Sequence, residues 1–476
     1  MKQSSIKKNT LLNAINTSST IIFPLITFPY LSRVLLPINL GKINFGLSII
    51  SYFSLIASLG ITTYAIRECS FVRYDREKLD SIASQIFSIN IITTIIAYLL
   101  LGITLLTYKK LHGYAALIVV HSLSIITTTL GTDWLYSAME DFKYITIRTL
   151  IFKITSLILV FSFIHQPEDY MKYLVITVIL SIGISFTNIF YRKRYCKIYF
   201  TKEIYWKKHF QPIFFLFVML LAQNIFTNVD STMLGLMHGD REVGIYSTAI
   251  KIYNTIEQLL ASLLWVIMPR MSYYFAEDKY GNINQLLRKI LGFDIFLGFP
   301  CAVGVFMLSS DIISIIAGNN FADSSTVLQI CMISFILGLF GGDFLGNAIL
   351  LPSKREKLFM VICCITAVVN VITNYMLIPV LGARGAALTT ALCLLLMLIL
   401  LLITVDKKIK LQNLSSLFIS PILGCLGIFV VCMLAKNING LWLRFSVSTI
   451  FSGIVYFLVN YIGKNELLLE LLNRNK

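Results

Sequence analysis

The sequence predicts an all-α membrane protein with about fourteen transmembrane helices, and three observations support this fold class. Hydrophobic residues make up 57% of the 476 residues and charged residues only 13%, about half of the ~25% typical of soluble domains. Apolar runs of roughly 20 residues, long enough to cross hydrocarbon, recur along the whole chain. The net charge is +16, and its basic residues are concentrated in alternate connections, which indicates membrane topology instead of nucleic-acid binding.

Fourteen apolar runs between polar breaks define the predicted spans. They cover residues 11–36, 43–66, 82–106, 114–137, 148–165, 172–191, 212–237, 244–269, 286–308, 326–350, 359–378, 384–405, 416–435 and 443–462. The first run follows three lysines, but it is too long for the apolar region of a secretory signal, so we expect it to be the first span.

The distribution of Lys and Arg provides a test of this count. With fourteen spans, 29 basic residues fall in the tails and loops of one side and 9 on the opposite side, and Lys153 and Lys251 lie within spans. Loops rich in Lys and Arg stay in the cytoplasm. The sequence therefore predicts that both termini are cytoplasmic.

A short motif occurs twice and indicates an internal repeat. Residues 131–138 and 341–348 share the pattern G-x-D-aromatic-L-x-x-A, late in spans four and ten. Pairing span four with span ten relates two six-helix halves of the same orientation, as in some transporters. We expect an N-terminal lobe over 1–209, a C-terminal lobe over 210–410 facing it across a central cavity, and two additional spans with a tail over 411–476.

Ionisable residues within or at the ends of spans identify the candidate site, because a charge at the bilayer centre costs ~2.5–3.5 kcal/mol. The candidates are the basic Arg33, Arg67, Lys153, Lys251 and Arg270 and the acidic Asp133, Asp230, Glu257, Asp294 and Asp343. Arg and Lys in a wet cavity would bind phosphate oxygens, so we expect an anionic cargo. Two alternatives stay open: the arginines snorkel to headgroups, or Lys251 and Asp230 form a purely structural pair.

Two aromatic residues, Trp134 and Tyr136, follow Asp133 and could stack on sugar rings. Their position near a span end fits the interfacial aromatic belt equally well. The sequence contains no phosphate-binding loop, no metal-binding histidine pair and no nucleophile elbow, so we expect a protein that is not an enzyme and needs no cofactor.

Several stretches resemble the Wzx-type flippases. They are FPYLSRVL at 28–35, DWLYSAMEDFKYITIR at 133–148, NVDSTMLG at 228–235, VGIYSTAIK at 243–251 and PRMS at 269–272. The chain is thereby identified as a member of the superfamily that also contains the multidrug and toxin extruders and the peptidoglycan-precursor flippase. It differs from many relatives in carrying Leu36-Pro37 where they have Gly.

The resemblance implies a fourteen-helix, V-shaped pair of lobes that works by alternating access in the bacterial plasma (inner) membrane. Its implied cargo is an undecaprenyl-diphosphate-linked oligosaccharide for O-antigen or another surface polysaccharide, with the prenyl tail remaining in membrane lipid. The implied partners are a coupling ion, proton or sodium, and a polysaccharide polymerase and chain-length regulator. The family's charged positions match Arg33, Arg67, Asp133, Lys153, Asp230, Lys251 and Arg270.

Two other functions are compatible with a chain of this kind. An ion-coupled multidrug extruder would need a cavity richer in acids, whereas this chain has lysines within its spans. A membrane-embedded polysaccharide polymerase would need a large outer loop with catalytic groups, but the longest predicted outer segment, about 309–325, holds only Asp311 and Asp323 as charged residues.

Overall fold

The computed structural model describes residues 6–406, 408–409, 411 and 414–473, and every regular element in these ranges is helical. Five basic residues used for the topology prediction, Lys2, Lys407, Lys410, Arg474 and Lys476, lie outside the described residues. The chain forms two compact units, residues 1–244 and 245–476.

Seventeen α-helices lie in the described residues. They are α1 (Ile6–Ser58), α2 (Ile61–Phe71), α3 (Arg76–Thr107), α4 (Ala115–Gly131), α5 (Asp133–Ala138), α6 (Phe142–Phe163), α7 (Tyr170–Tyr191), α8 (Trp206–Met237), α9 (Asp240–Ala276), α10 (Tyr280–Phe293), α11 (Phe299–Ile316), α12 (Ser324–Gly338), α13 (Glu356–Leu381), α14 (Ala383–Thr404), α15 (Leu414–Ala435), α16 (Leu441–Ile462) and α17 (Glu466–Asn473). Two π-helical segments, Asp294–Gly298 and Leu339–Leu350, join α10 to α11 and continue α12.

Each of the fourteen predicted spans lies on one or more of these helices. Twelve helical stretches among the described residues are long and apolar enough to cross a membrane, and α9, which holds span eight, is not one of the twelve. The first stretch has 63 residues, Asn9–Phe71, about 95 Å of helix at 1.5 Å per residue. Since hydrocarbon is only ~30 Å thick, this stretch contains spans one and two. The all-α membrane fold is confirmed, and the lobe boundaries at 209 and 410 stay a prediction.

A kink at Leu36 separates spans one and two. Leu36 has φ +62° and ψ 168°, a region that is open almost only to glycine and costs other residues about 1–3 kcal/mol. Pro37 follows at once and cannot continue the hydrogen-bond ladder of the preceding helix. The Leu36-Pro37 dipeptide is therefore a strained break in α1.

The first unit is built around the two arms of α1. This helix packs against α3, α4, α6 and α8, and α4 packs against α7. A core of buried apolar residues joins α2, α3 and α5, including Ile61, Leu79, Ile86, Trp134 and Leu135. These contacts position α6 and its charged residues against α1.

The second unit includes the last two predicted spans. Helix α15 packs against α16, and both contact α11. Arg444 on α16 donates two hydrogen bonds to Asp311 on α11. Near the start of predicted span nine, Arg288 donates at 2.9 Å to both carboxylate oxygens of Glu466, which lies beyond the last span. This contact lowers the pKa of Glu466 below its ordinary value. Charge pairs thus attach the C-terminal helices to α10 and α11.

Alanine is ordinarily more stable than glycine within a helix. The strained backbone at Leu36 predicts the opposite order there. Leu36→Gly should be more stable than Leu36→Ala by about 1 kcal/mol or more, because both remove the side chain and only glycine is unstrained at this φ. Thermal unfolding of the two purified variants in one detergent measures the difference.

The same pair of substitutions at Val34 provides the control, since Val34 lies in regular helix. There alanine should be the more stable by about 1 kcal/mol. An alanine variant more stable than the glycine variant at Leu36 as well would contradict a strained kink.

Candidate functional site

The five predicted cations are distributed over four helices. Arg33 lies on α1, Arg67 on α2, Lys153 on α6, and Lys251 and Arg270 on α9. Arg33 and Lys251 have exposed side chains, although both belong to helices of predicted spans. Their exposed surfaces lie within predicted spans, where a charge needs water or a partner.

Lys153 lies deeper than the sequence indicated. The predicted span placed it near the beginning of the helix, but α6 starts at Phe142, so Lys153 is the twelfth of 22 residues. Its ammonium donates to the Ser19 hydroxyl at 2.8 Å and lies 5.9 Å from the centre of the Phe23 ring. Among the described residues, no salt bridge joins Lys153 to a carboxylate. This cation is held in mid-span by a neutral hydroxyl and an aromatic ring.

Arg67 and Arg270 occupy a different environment, near helix ends. The Arg67 side chain is 52% exposed and pairs with Glu68 at 3.3 Å. Arg270 is exposed and donates from Nε to the Tyr274 hydroxyl at 2.9 Å. For these two residues the structure is compatible with snorkelling to headgroups.

Asp133 belongs to a polar network that sequence reasoning missed in part. Its Oδ1 accepts hydrogen bonds from Arg148 Nη1 at 2.7 Å and from Asn188 Nδ2 at 2.9 Å. Arg148 also donates to Asn188 Oδ1, which in addition accepts from the Tyr144 hydroxyl at 2.9 Å. The network connects α5, α6 and α7. Arg148 is the first residue of predicted span five and is not among the predicted site residues. The available signal was a cation 15 residues after an acid within one quoted motif.

The two aromatic residues predicted to contact sugar are core residues. Trp134 is 4% exposed and Tyr136 is fully buried. The Tyr136 hydroxyl donates to the Asn188 carbonyl at 2.5 Å, and the Trp134 ring packs in the apolar core of the first unit. Because neither ring presents a face to solvent, neither can stack on a sugar in this conformation.

In the second unit, three of the predicted acids are brought together. Glu257 on α9 and Asp294 both lie close enough to Asp343 to interact with it electrostatically. Glu257 accepts from the Tyr253 hydroxyl at 3.4 Å, and Asp343 accepts from the Asn347 amide at 3.1 Å. Asp294 is 5% exposed, and its Oδ2 is buried without a hydrogen-bond partner. The fifth acid, Asp230, is 2% exposed on α8 in the first unit.

Both Asp294 and Asp343 lie on π-helical segments. Such segments are rare, widen the helix locally and occur frequently at functional sites. Asp343 and Asn347 contribute the polar side chains of a cavity of about 140 Å³ that is otherwise lined by apolar residues of α9, α10 and the second π segment. Within the described residues, no group of three or more His, Cys, Asp or Glu side chains is placed to hold a metal ion. The arrangement suits exchange of a small ion or proton.

The chain matches two known protein families. Residues 6–275 match the family described as polysaccharide biosynthesis protein, which is more than half of the chain. The chain belongs to this family. Residues 212–376 also match the MatE family, so the resemblance inferred from sequence motifs is confirmed.

The chain matches most of the length of its curated relatives. The chain is 25% identical over 370 residues to a capsular polysaccharide biosynthesis protein, CapF, of Staphylococcus aureus, covering 74% of this chain and 87% of the relative. It is 24% identical to a putative O-antigen transporter of Shigella dysenteriae, over 81% of this chain and 96% of the relative.

Two solved structures share the fold. The lipid II flippase MurJ in an inward closed conformation superposes with a TM-score of 0.72 at 18% identity, covering 96% of this chain and 100% of MurJ. An inward-facing MATE family multidrug transporter gives 0.64 at 13% identity, covering 79% and 91%. At these identities the likeness establishes the fold alone.

The network around Asn188 predicts that substitution of this uncharged residue destabilises the protein. Asn188→Leu keeps the side-chain volume similar but removes partners of Asp133, Arg148 and Tyr144, and each unsatisfied buried group costs about 1–3 kcal/mol. Of these three partners only Arg148 is buried, whereas the Asp133 side chain is 53% exposed. We therefore expect a loss of about 1–3 kcal/mol in unfolding free energy, measured as a lower thermal midpoint in detergent.

Thr187→Val is the matched control, because Thr187 neighbours Asn188 and its hydroxyl bonds only to Ile184 of its own helix. It should cost less than about 1 kcal/mol. Equal losses in the two variants would show that the polar network does not stabilise the first unit.

Proposed function

We propose that this protein translocates undecaprenyl-diphosphate-linked oligosaccharide repeat units from the cytoplasmic to the outer leaflet of the bacterial plasma membrane by alternating access. The product serves O-antigen or other surface polysaccharide synthesis. The relatives named above, which include a putative O-antigen transporter and a lipid II flippase, support this substrate class.

The observation that carries the proposal is the position of Lys153. It lies eleven residues into α6, about 16 Å along the helix axis, and is tied to a neutral hydroxyl instead of an acid. A mid-span cation costs several kcal/mol unless it faces water or an anion. Its charge is therefore available to an anionic cargo.

The chemistry of the cargo fits these cations. A diphosphate carries its negative charges next to the lipid tail, and Lys and Arg bind phosphate oxygens by charge-assisted hydrogen bonds. A polar glycan cannot cross ~30 Å of hydrocarbon unaided. The cations would hold the diphosphate in a wet cavity while the prenyl chain stays in lipid.

The three acids of the second unit are proposed to couple transport to an ion. A buried carboxylate oxygen with no partner, as on Asp294, is costly when charged, so proton uptake would relieve it. Asp343 interacts electrostatically with both of the other acids, and it lines the cavity. We assign it the central role, with a proton as the coupling ion.

Orientation and partners complete the proposal. The chain is a multi-pass membrane protein, and the bias of Lys and Arg supports a cytoplasmic position for both termini. The polymerase and the chain-length regulator would act on the product at the outer face.

Removing a mid-span cation should impair export without affecting folding. In a strain lacking the chromosomal gene, Lys153→Ala and Lys251→Ala should each reduce surface glycan by about 10-fold or more, since a charge-assisted contact is worth about 1.5–3 kcal/mol. Repeat units should accumulate on the cytoplasmic leaflet, measured by lipid extraction and surface labelling.

Lys153→Arg and Lys251→Arg should retain most export, and Lys202→Ala, which removes an exposed lysine between α7 and α8, should behave as wild type. Full surface glycan with both alanine variants at normal protein level would overturn the cationic-cavity proposal.

Neutralising the central acid should uncouple the protein. Asp343→Asn should abolish export driven by a proton gradient in reconstituted vesicles, because the amide cannot bind and release a proton. Asp323→Asn, on an exposed acid that follows α11, is the control and should leave export unchanged. Gradient-driven export by Asp343→Asn at the wild-type rate would contradict the assignment.

A multidrug extruder is the second candidate function, favoured by the MatE match and by the cluster of three acids. The same vesicles distinguish the two functions. Gradient-driven efflux of ethidium without movement of lipid-linked oligosaccharide would favour the extruder.

A further inference from the structure

A large pocket lies in the first unit, and its lining includes Arg148, which binds the predicted site residue Asp133. Its volume is about 840 Å³, within the range of small-molecule sites. The first turns of α6 and the last turn of α7 form two of its walls, and Arg73, Glu140 and Arg194 come from adjoining connections. All of these elements belong to one compact unit.

The lining is basic, with four cations and two acids: Arg73, Lys143, Arg148, Arg194, Glu140 and Asp141. Both acids are engaged. Glu140 pairs with Arg73 at 2.5 Å, and Asp141 caps α6 through the Tyr144 backbone N–H and accepts from the Tyr191 hydroxyl at 2.9 Å. Among the described residues, neither Lys143 nor Arg194 has a salt bridge to an acid, so both retain charge for an anion.

Arg148 provides a second observation that indicates a ligand. Its side chain is only 9% exposed, it lines the pocket, and one Nη donates to Asp133 at 2.7 Å. Its Nε is buried without a hydrogen-bond partner. An unsatisfied buried donor on a cation is costly, and an acceptor oxygen bound in the pocket would satisfy it.

The pocket is not polar throughout. Ile147 and Ile151 follow one another at helical i, i+4 spacing along α6 and are 47% and 56% exposed, with Phe152 beside them. The rings of Tyr144 and Tyr191 also line the pocket and stack at 3.8 Å. A ligand that fills such a pocket combines an anionic head with an apolar chain.

We propose that this pocket binds the phosphate headgroup of an anionic membrane lipid, with its hydrocarbon chain along Ile147 and Ile151. Lys143 and Arg194 contact the phosphate from opposite walls, and Arg148 donates to it from below. The proposal does not depend on the proposed function, because none of these residues belongs to the cations assigned to the cargo.

Binding of phosphatidylglycerol to the purified full-length protein in a non-ionic detergent tests the proposal. Native mass spectrometry measures the affinity of the wild type and of Lys143→Gln/Arg194→Gln. Removing two cations near a phosphate should lower the affinity about 30-fold. Ile151→Ser should also weaken lipid binding, and unchanged thermal unfolding of both variants shows that they fold.

Lys207→Gln/Lys208→Gln is the matched control, since it removes two exposed lysines that do not line the pocket. It should retain wild-type affinity within about twofold, because a distant charge is screened at physiological salt. Equal loss in the two double variants would overturn the proposal as unspecific charge attraction. Inorganic phosphate should not displace the lipid at millimolar concentration, and displacement would show a site for a soluble anion instead.

Discussion

Hydrocarbon cannot solvate a backbone amide or an ionised side chain, and the rest of this structure depends on that constraint. Every span satisfies its backbone groups as a helix, including the two π-helical segments, where the hydrogen bonds change register but are retained. Each charge in a span then needs a partner or water. The charged residues of the spans therefore differ in whether a partner within the protein neutralises them.

One group of charges is neutralised inside the protein. Arg148 is shared among Asp133 and Asn188, and Arg444 pairs with Asp311. Such pairs link helices, and Arg148 also lines the pocket proposed to bind a lipid phosphate. Lys153 differs, because its contacts are a hydroxyl and a ring. In the proposed function, this difference separates the structural charges from the cation assigned to the cargo.

The helices and the family could be predicted from sequence because hydropathy and charge bias are local signals that the membrane enforces. The depth of Lys153 could not be predicted, since the predicted span begins at Arg148, whereas α6 begins at Phe142 and Arg148 is buried against Asp133 and Asn188. The burial of Trp134 and Tyr136 depends on tertiary packing. The π segments that carry Asp294 and Asp343 have no sequence signature, although Asn347, one turn after Asp343, was a detectable neighbour.

Access of a water-soluble anion to Lys251 tests the central claim most directly. In a variant whose nine native cysteines are replaced by alanine or serine, Lys251→Cys would be treated in intact membranes with a negatively charged, membrane-impermeant thiol reagent. We expect modification from one side of the membrane and protection by added lipid-linked oligosaccharide. Reaction only with a lipid-soluble maleimide would place this residue in a dry environment and contradict the account.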